Sequence, residues 1–137
     1  ALFGEKDYQQ LLIIRSLVKN LLLPIEVVSA PTIREDSGLA MSSRNTYLSK
    51  SEFRQAPKLY KCIKETIKMI RNGDKDYEQL EKEANIFLEQ AGFKVEYYSI
   101  CDSKTLAPAG DDDAIVLVAA WLGKTRLIDN ARVHTYD

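Results

Sequence analysis

A helix feeding a short apolar strand obliges that strand to be buried in a sheet, and no other feature of the sequence constrains the fold as tightly. From Lys6 to about Leu22 the apolar residues Tyr8, Leu11, Leu12, Ile14, Val18, Leu21 and Leu22 recur mostly at three and four, the pattern of a helix with a wide apolar stripe. Pro24 stops it. Ile25-Glu26-Val27-Val28-Ser29 then reads as a short, mostly β-branched strand, closed by Ala30-Pro31. Such a pair is half of a βαβ unit, whose strands sit in parallel sheets covered on both faces. The sequence shows no neighbouring parallel strand, and Ala1 to Gly4 reads as an apolar stub running into a turn.

Thr32 to Leu48 is polar and irregular, with Gly38 and the run Ser42-Ser43-Arg44-Asn45, and reads as a functional loop or a domain junction. Ser49-Lys50-Ser51-Glu52 is a capping box, so a helix is expected from Lys50 to about Gln55, with a second starting at Pro57. Leu59, Ile63, Ile67 and Ile70 line one face of that second helix, and Gly73 ends it. Asp76 caps a further helix, with Gln79 at the reciprocal position and Leu80, Ala84, Phe87, Leu88 and Ala91 as its stripe. Strands are expected over Lys94 to Cys101, Ala114 to Ala120 and Thr125 to Ile128, the last two joined by a Gly123-Lys124 hairpin. The expectation is a helical hairpin beside a small antiparallel sheet.

Composition narrows the functions. The 137 residues are 45% hydrophobic and 28% charged, the globular average, so a core is possible and disorder is excluded. The net charge of −1 gives no long-range attraction for nucleic acid or an anionic membrane. The apolar runs are far shorter than a membrane span and no leader pattern opens the chain, so a soluble cytoplasmic protein is expected. The single His, His134, excludes sites needing two, and Cys62 and Cys101, without CxxC spacing, read as buried reduced thiols.

Two segments carry candidate chemistry. Gly4-Glu5-Lys6-Asp7 is a glycine turn opening into a helix, where free backbone N–H groups and the Lys6 ammonium favour phosphate. Gln10 lies four residues after Lys6 on the same face, about 6 Å along the axis, next to any phosphate held there. In Met41-Ser42-Ser43-Arg44-Asn45, hydroxyls and backbone N–H groups can wrap phosphate oxygens while Arg44 forks onto them. Arg34 and Glu35 read as a solvated pair, Asp111 to Asp113 as a solvated turn, Asp129-Asn130 as a turn and Trp121 as core.

The segments FGEKDYQQLLIIRSLV, PTIREDSGLAMSSRNTYLS and VLVAAWLGKTRLIDN, in that order, resemble the pantothenate synthetase (pantoate–β-alanine ligase) family of the nucleotidyltransferase superfamily. The resemblance implies an α/β and α+β chain: residues 1–33 as the last αβ piece of a Rossmann-like nucleotide domain, and 34–137 as a carboxyl-terminal lid-like domain of helical hairpin plus three-stranded antiparallel sheet. It implies ligation of pantoate and β-alanine through a pantoyl adenylate, with ATP as substrate and Mg²⁺ accompanying it and no metal ligand from the protein. Gly4, Glu5, Lys6 and Asp7 would contact ATP, Ile33 would lie against adenine, Met41, Ser42, Ser43 and Arg44 would close over the phosphates, and Gln10 would bind pantoate. The family's amino-terminal half, with its HxGH-like motif, has no counterpart in these residues. The chain is therefore expected to be inactive alone and to need that missing half as partner, and the apolar surface of its first helix is expected to make it oligomerise or to leave residues 1–30 mobile; the alternative is a non-catalytic module docking on that half or on a second copy.

Overall fold

The computed structural model describes residues 2–4, 9, 28–30, 33–103, 105–107, 109 and 113–134. Two short strands, β1 (Leu2–Gly4) and β2 (Val28–Ala30), pair in parallel, Leu2 opposite Val28 and Gly4 opposite Ala30. This corrects the reading of residues 1–4: the apolar stub is itself the neighbouring strand. Three residues are too few to show a period, and a parallel partner always lies beyond a crossover of about a dozen residues or more, so no local pattern announces the pairing. β2 runs to Ala30, one residue past its expected end. The helix expected over 6–22 lies outside the described residues apart from Gln9, as do residues 25–27 of the expected strand.

The helical part begins where its caps are. In α1 (Lys50–Gln55), Ser49 Oγ accepts from Glu52 N at 3.1 Å while Glu52 Oε1 accepts from Ser49 N at 2.9 Å, so each satisfies a backbone donor that the helix start leaves over. Pro57 stands at the N-cap of α2 (Lys58–Arg71) and is not its first helical residue, because Ala56 N still donates to Glu52 O and α1 runs up to the proline. In α3 (Tyr77–Gln90), Asp76 Oδ1 accepts from Gln79 N at 3.3 Å. The reciprocal bond from Gln79 is not made: Asp74 Oδ1 already accepts Asp76 N at 3.0 Å, and the Gln79 amide turns to Glu83.

Three antiparallel strands follow, β3 (Phe93–Asp102), β4 (Ala114–Leu122) and β5 (Thr125–Arg132), with β4 in the middle. The β4–β5 turn is Gly123-Lys124, with Gly123 at φ +61°, the first-position glycine that a two-residue hairpin favours. A Cβ on Gly123 would also run into the Glu52 carboxylate. β5 extends four residues beyond its expected end, to Arg132, so Asp129 and Asn130 are strand residues and not a turn.

The hairpin of α2 and α3 lies on one face of this sheet. Leu59, Ile63 and Ile67 from α2 and Leu80, Ala84 and Leu88 from α3 pack with Tyr98, Ile100, Val116, Val118, Ala120 and Leu127 in one core. The opposite face of β4 carries Ile115 and Leu117, which cluster with Cys101, Tyr97 and Leu106. The 103–113 connection folds back over that end: Ser103 N donates to Asp113 O, Ala109 N to Ile100 O, and Ser103 Oγ to Asp113 Oδ2 at 2.9 Å. Asp113 is thus tied into the loop and not part of a solvated turn; Asp111 and Asp112 lie outside the described residues. β4 is buried along nearly its whole length because it is central in the sheet and apolar on both faces.

Both cysteines are free and buried. Burial pushes the Cys62 thiol up to about 11, so little thiolate exists near neutral pH. Alkylation of the native chain at pH 8 should therefore be slow at both thiols and fast once the chain is unfolded, as mass spectrometry after timed quenching will show. Replacing Ser49 with Ala should lower the unfolding free energy by about 1 kcal/mol, visible as a lower urea midpoint with an unchanged slope.

Candidate functional site

The register of β1 on β2 sets the residues that precede Glu5 and Pro31 side by side. Gly4 and Ala30 are opposite each other at the carboxyl ends of parallel strands, the end where open α/β sheets place their ligands. The chain leaving Gly4 enters Glu5-Lys6-Asp7, and the chain leaving Ala30 enters Pro31-Thr32-Ile33. Glu5, Lys6, Asp7 and Gln10 lie outside the described residues.

Residues 33–47, read from sequence as irregular, form a closed hairpin and one 3₁₀ turn. Arg34 and Ala40 face each other as an antiparallel bridge; Glu35 N donates to Leu39 O at 2.9 Å, Gly38 N to Glu35 O at 2.8 Å and Met41 N to Ile33 O at 2.9 Å. Ile33 and Met41 are thereby neighbours at the hairpin's open end, 70% and 52% exposed. Two large apolar side chains side by side at the surface make an edge suited to a flat apolar partner. The chain then enters the 3₁₀ helix Ser43–Tyr47, whose start is capped by Ser42 Oγ accepting from Arg44 N at 3.2 Å. The Arg44 side chain is exposed and pairs with no described residue. Beneath this turn Asn45 is buried, its Nδ2 donating to Ala40 O at 3.1 Å while its Oδ1 has no partner among the described residues. A cavity of about 180 Å³ lies between the turn, α2 and β5, lined by Ser42, Arg44, Asn45, Tyr60, Ile128 and Asp129.

A cluster that sequence reasoning missed holds this hairpin in place. Arg34 Nη1 and Nη2 fork onto the Asp129 carboxylate at 2.7 and 2.8 Å; the same guanidinium donates to Gly38 O at 3.1 Å and to Asn130 O at 3.3 Å. Its Cζ lies 3.6 Å from the centroid of the Tyr60 ring. The two side chains are 16% and 2% exposed, so Arg34 is not half of a solvated pair with Glu35. One signal was available: Leu127, Asp129 and Ala131 share the core face of β5 by alternation, which puts a carboxylate where an apolar residue belongs and calls for a buried cation. Gly38 completes the cluster, with φ +94° and a notional Cβ only 2.9 Å from Tyr60 Cδ2.

Farther along the sheet, Glu96 bulges out of β3 and accepts from Arg126 Nη2 at 2.6 Å, and that hydrogen bond holds its carboxyl below the usual range. Trp121, on the facing strand, is half-buried and not the core residue expected. Among the described residues no group of three or more His, Cys, Asp or Glu could hold a metal, and no helix is long and apolar enough to cross a membrane.

A parallel strand pair leading into a serine- and arginine-bearing turn, mounted on a helical hairpin and antiparallel sheet, places the chain in the nucleotidyltransferase-like fold class. The family model described as Pantoate-beta-alanine ligase matches residues 1–132, and the chain belongs to that family. The pantothenate synthetase of Hahella chejuensis is 53% identical over 136 residues, covering 98% of this chain and 48% of its own length. The pantoate–β-alanine ligase of Schizosaccharomyces pombe is 48% identical over 132 residues. The crystal structure of pantothenate synthetase from Thermus thermophilus superposes with a TM-score of 0.90 at 39% identity, over 98% of this chain and 50% of that one. The Francisella tularensis ligase, solved in complex with beta-gamma ATP and beta-alanine, matches with a TM-score of 0.67 at 30% identity, over 98% of this chain and 44% of that one. The chain thus spans about half the length of the curated relatives it matches.

Placing Ala at position 38 forces a left-handed backbone on a residue with a Cβ and drives that atom at the Tyr60 ring. The expected cost is about 1–2 kcal/mol. It should appear as faster amide exchange at Glu35, Met41 and position 38 itself, with the amides of β4 unchanged.

Proposed function

We propose that this chain supplies the carboxyl-terminal part of a pantothenate synthetase, the ligase that joins pantoate to β-alanine with the consumption of ATP. The observation that carries the reading is the pairing of Gly4 with Ala30 at the carboxyl ends of parallel strands, from which the chain continues toward the two segments expected to hold ATP. Family membership over residues 1–132, and a relative solved with beta-gamma ATP and beta-alanine, support the choice of substrates. In this reading residues 1–33 are an edge of the nucleotide domain and 34–137 the small lid-like domain, in a cytoplasmic enzyme.

The assigned roles follow from side-chain chemistry. Ile33 lies against the adenine face, while Met41, Ser42, Ser43 and Arg44 close over the phosphates, the hydroxyls and the guanidinium taking phosphate oxygens. Gly4, Glu5, Lys6 and Asp7 hold ATP from the strand side and Gln10 orients pantoate. Mg²⁺ arrives with the nucleotide as MgATP, and no residue of this chain is assigned to it. The pantoate carboxylate attacks the α-phosphorus, forming the acyl phosphate bond of pantoyl adenylate as the bond to pyrophosphate breaks. The β-alanine amine then attacks the acyl carbon, forming the amide and releasing AMP, with loss of the amine proton.

With His134 as the only His, this chain carries no HxGH motif, and a single preorganised donor to transition-state charge is worth about 10²–10³ in rate. The chain alone should therefore release no AMP from MgATP, pantoate and β-alanine. Mixed with a separately made amino-terminal half of the Hahella chejuensis relative, it should release AMP only when all three substrates are present. Activity of the chain alone would overturn the division of labour. A stable complex without activity would favour a docking module with no part in catalysis.

A further inference from the structure

We propose that Arg34 and Asp129 are positioning residues for the nucleotide, setting where the Ile33 and Met41 edge and the turn after it stand while touching no substrate themselves. The proposal rests on the nucleotide reading above. Ile33 and Arg34 are successive residues of an extended segment, so their side chains leave on opposite sides: Ile33 outward, 70% exposed, and Arg34 inward, 16% exposed. Each contact of the inward side chain fixes the hairpin to something rigid. The fork reaches Asp129 at 2.7 and 2.8 Å on β5, a further bond reaches Asn130 O at 3.3 Å, and the guanidinium lies on the Tyr60 ring of α2. The remaining bond, 3.1 Å to Gly38 O, closes the hairpin on itself.

An isolated two-stranded hairpin is marginal in water, so the backbone bonds that close this one do not fix its place relative to the small domain. Leu39 plants the hairpin's turn in the core, and the guanidinium sets where its Ile33 end stands, because only a planar fork can serve two carboxylate oxygens and stack on a ring together; a lysine offers one point charge. Asp129 contributes by being nearly unable to move: it is 2% exposed and its Oδ1 also accepts the Asn130 N–H at 2.8 Å. Ile33 precedes Arg34 directly and Met41 is hydrogen-bonded to Ile33, so loosening the clamp displaces the expected adenine contact of Ile33 and, through Met41, the phosphate turn that follows.

The test uses the two-part enzyme of the preceding subsection, with Arg34→Lys, which keeps the charges and loses the fork, Asp129→Asn, and Arg44→Ala as a control on the nucleotide site. Arg34→Lys and Asp129→Asn should raise KM for MgATP roughly tenfold or more, the factor that about 1.4 kcal/mol of lost nucleotide binding gives, with kcat changed less than about threefold and KM for β-alanine unmoved. A lower melting temperature with KM for MgATP unchanged would mark a purely structural role and overturn the proposal. If Arg44→Ala raises that KM while the clamp variants do not, positioning fails and the nucleotide reading stands. If Arg44→Ala is also silent, or the unsubstituted mixture is inactive, the nucleotide reading fails and takes the proposal with it. Should Arg34→Lys not fold, Tyr60→Leu, which removes the stacked ring and leaves both charges, is read by the same criteria.

Discussion

The Arg34–Asp129 pair is the interaction on which the placement of the loop depends. Burying two charges costs several kcal/mol per ion unless geometry and further hydrogen bonds offset it. Here the offset is nearly complete. Both carboxylate oxygens are used, the guanidinium finds two backbone carbonyls as well, and an aromatic face covers it. Removing either partner from such an arrangement strands the other charge, at a cost of about 3–5 kcal/mol. A polar segment that by composition could wander is thus held at one place against β5 and α2, with Leu39 in the core and Ile33 and Met41 facing outward.

What could be read from the residues divides along physical lines. The helical hairpin was legible because its signals are local: Ser49 and Glu52 define a start by two reciprocal bonds, and Leu59, Ile63 and Ile67 repeat at the helical period. The sheet was legible in its centre, where β4 is apolar on both faces, and less so at its ends. Asp129-Asn130 looks like a turn to any local rule; pairing with Val118 and Leu117 of β4 makes it strand, and Arg34, 95 positions away, satisfies its buried carboxylate. The same holds for β1, a strand three residues long whose identity depends entirely on β2.

The candidate site shows the same split. The residue types of Met41 to Arg44 suggested phosphate chemistry in isolation, and the resemblance supplied the order of segments. Neither indicated that Ile33 and Met41 would meet through one backbone hydrogen bond, nor that Gly4 would stand opposite Ala30. Both juxtapositions are created by pairing across sequence, so they become visible only with the fold. The strand pair and the clamp set the segments from two directions: β1 and β2 align where they emerge, and β5 with α2 fixes where the second one ends.

The start of α1 and the β4–β5 turn are tied together in a way that bears on how the sequence of the small domain can drift. The Glu52 carboxylate that starts α1 also stands against Gly123 in that turn, where a Cβ would collide with it. A side chain at position 123 would therefore act as a helix-cap lesion, pushing away the group that satisfies the Ser49 N–H. Position 123 is thus held to glycine twice over, by its left-handed φ of +61° and by the Glu52 carboxylate, and a side chain there has to move that carboxylate off the Ser49 N–H.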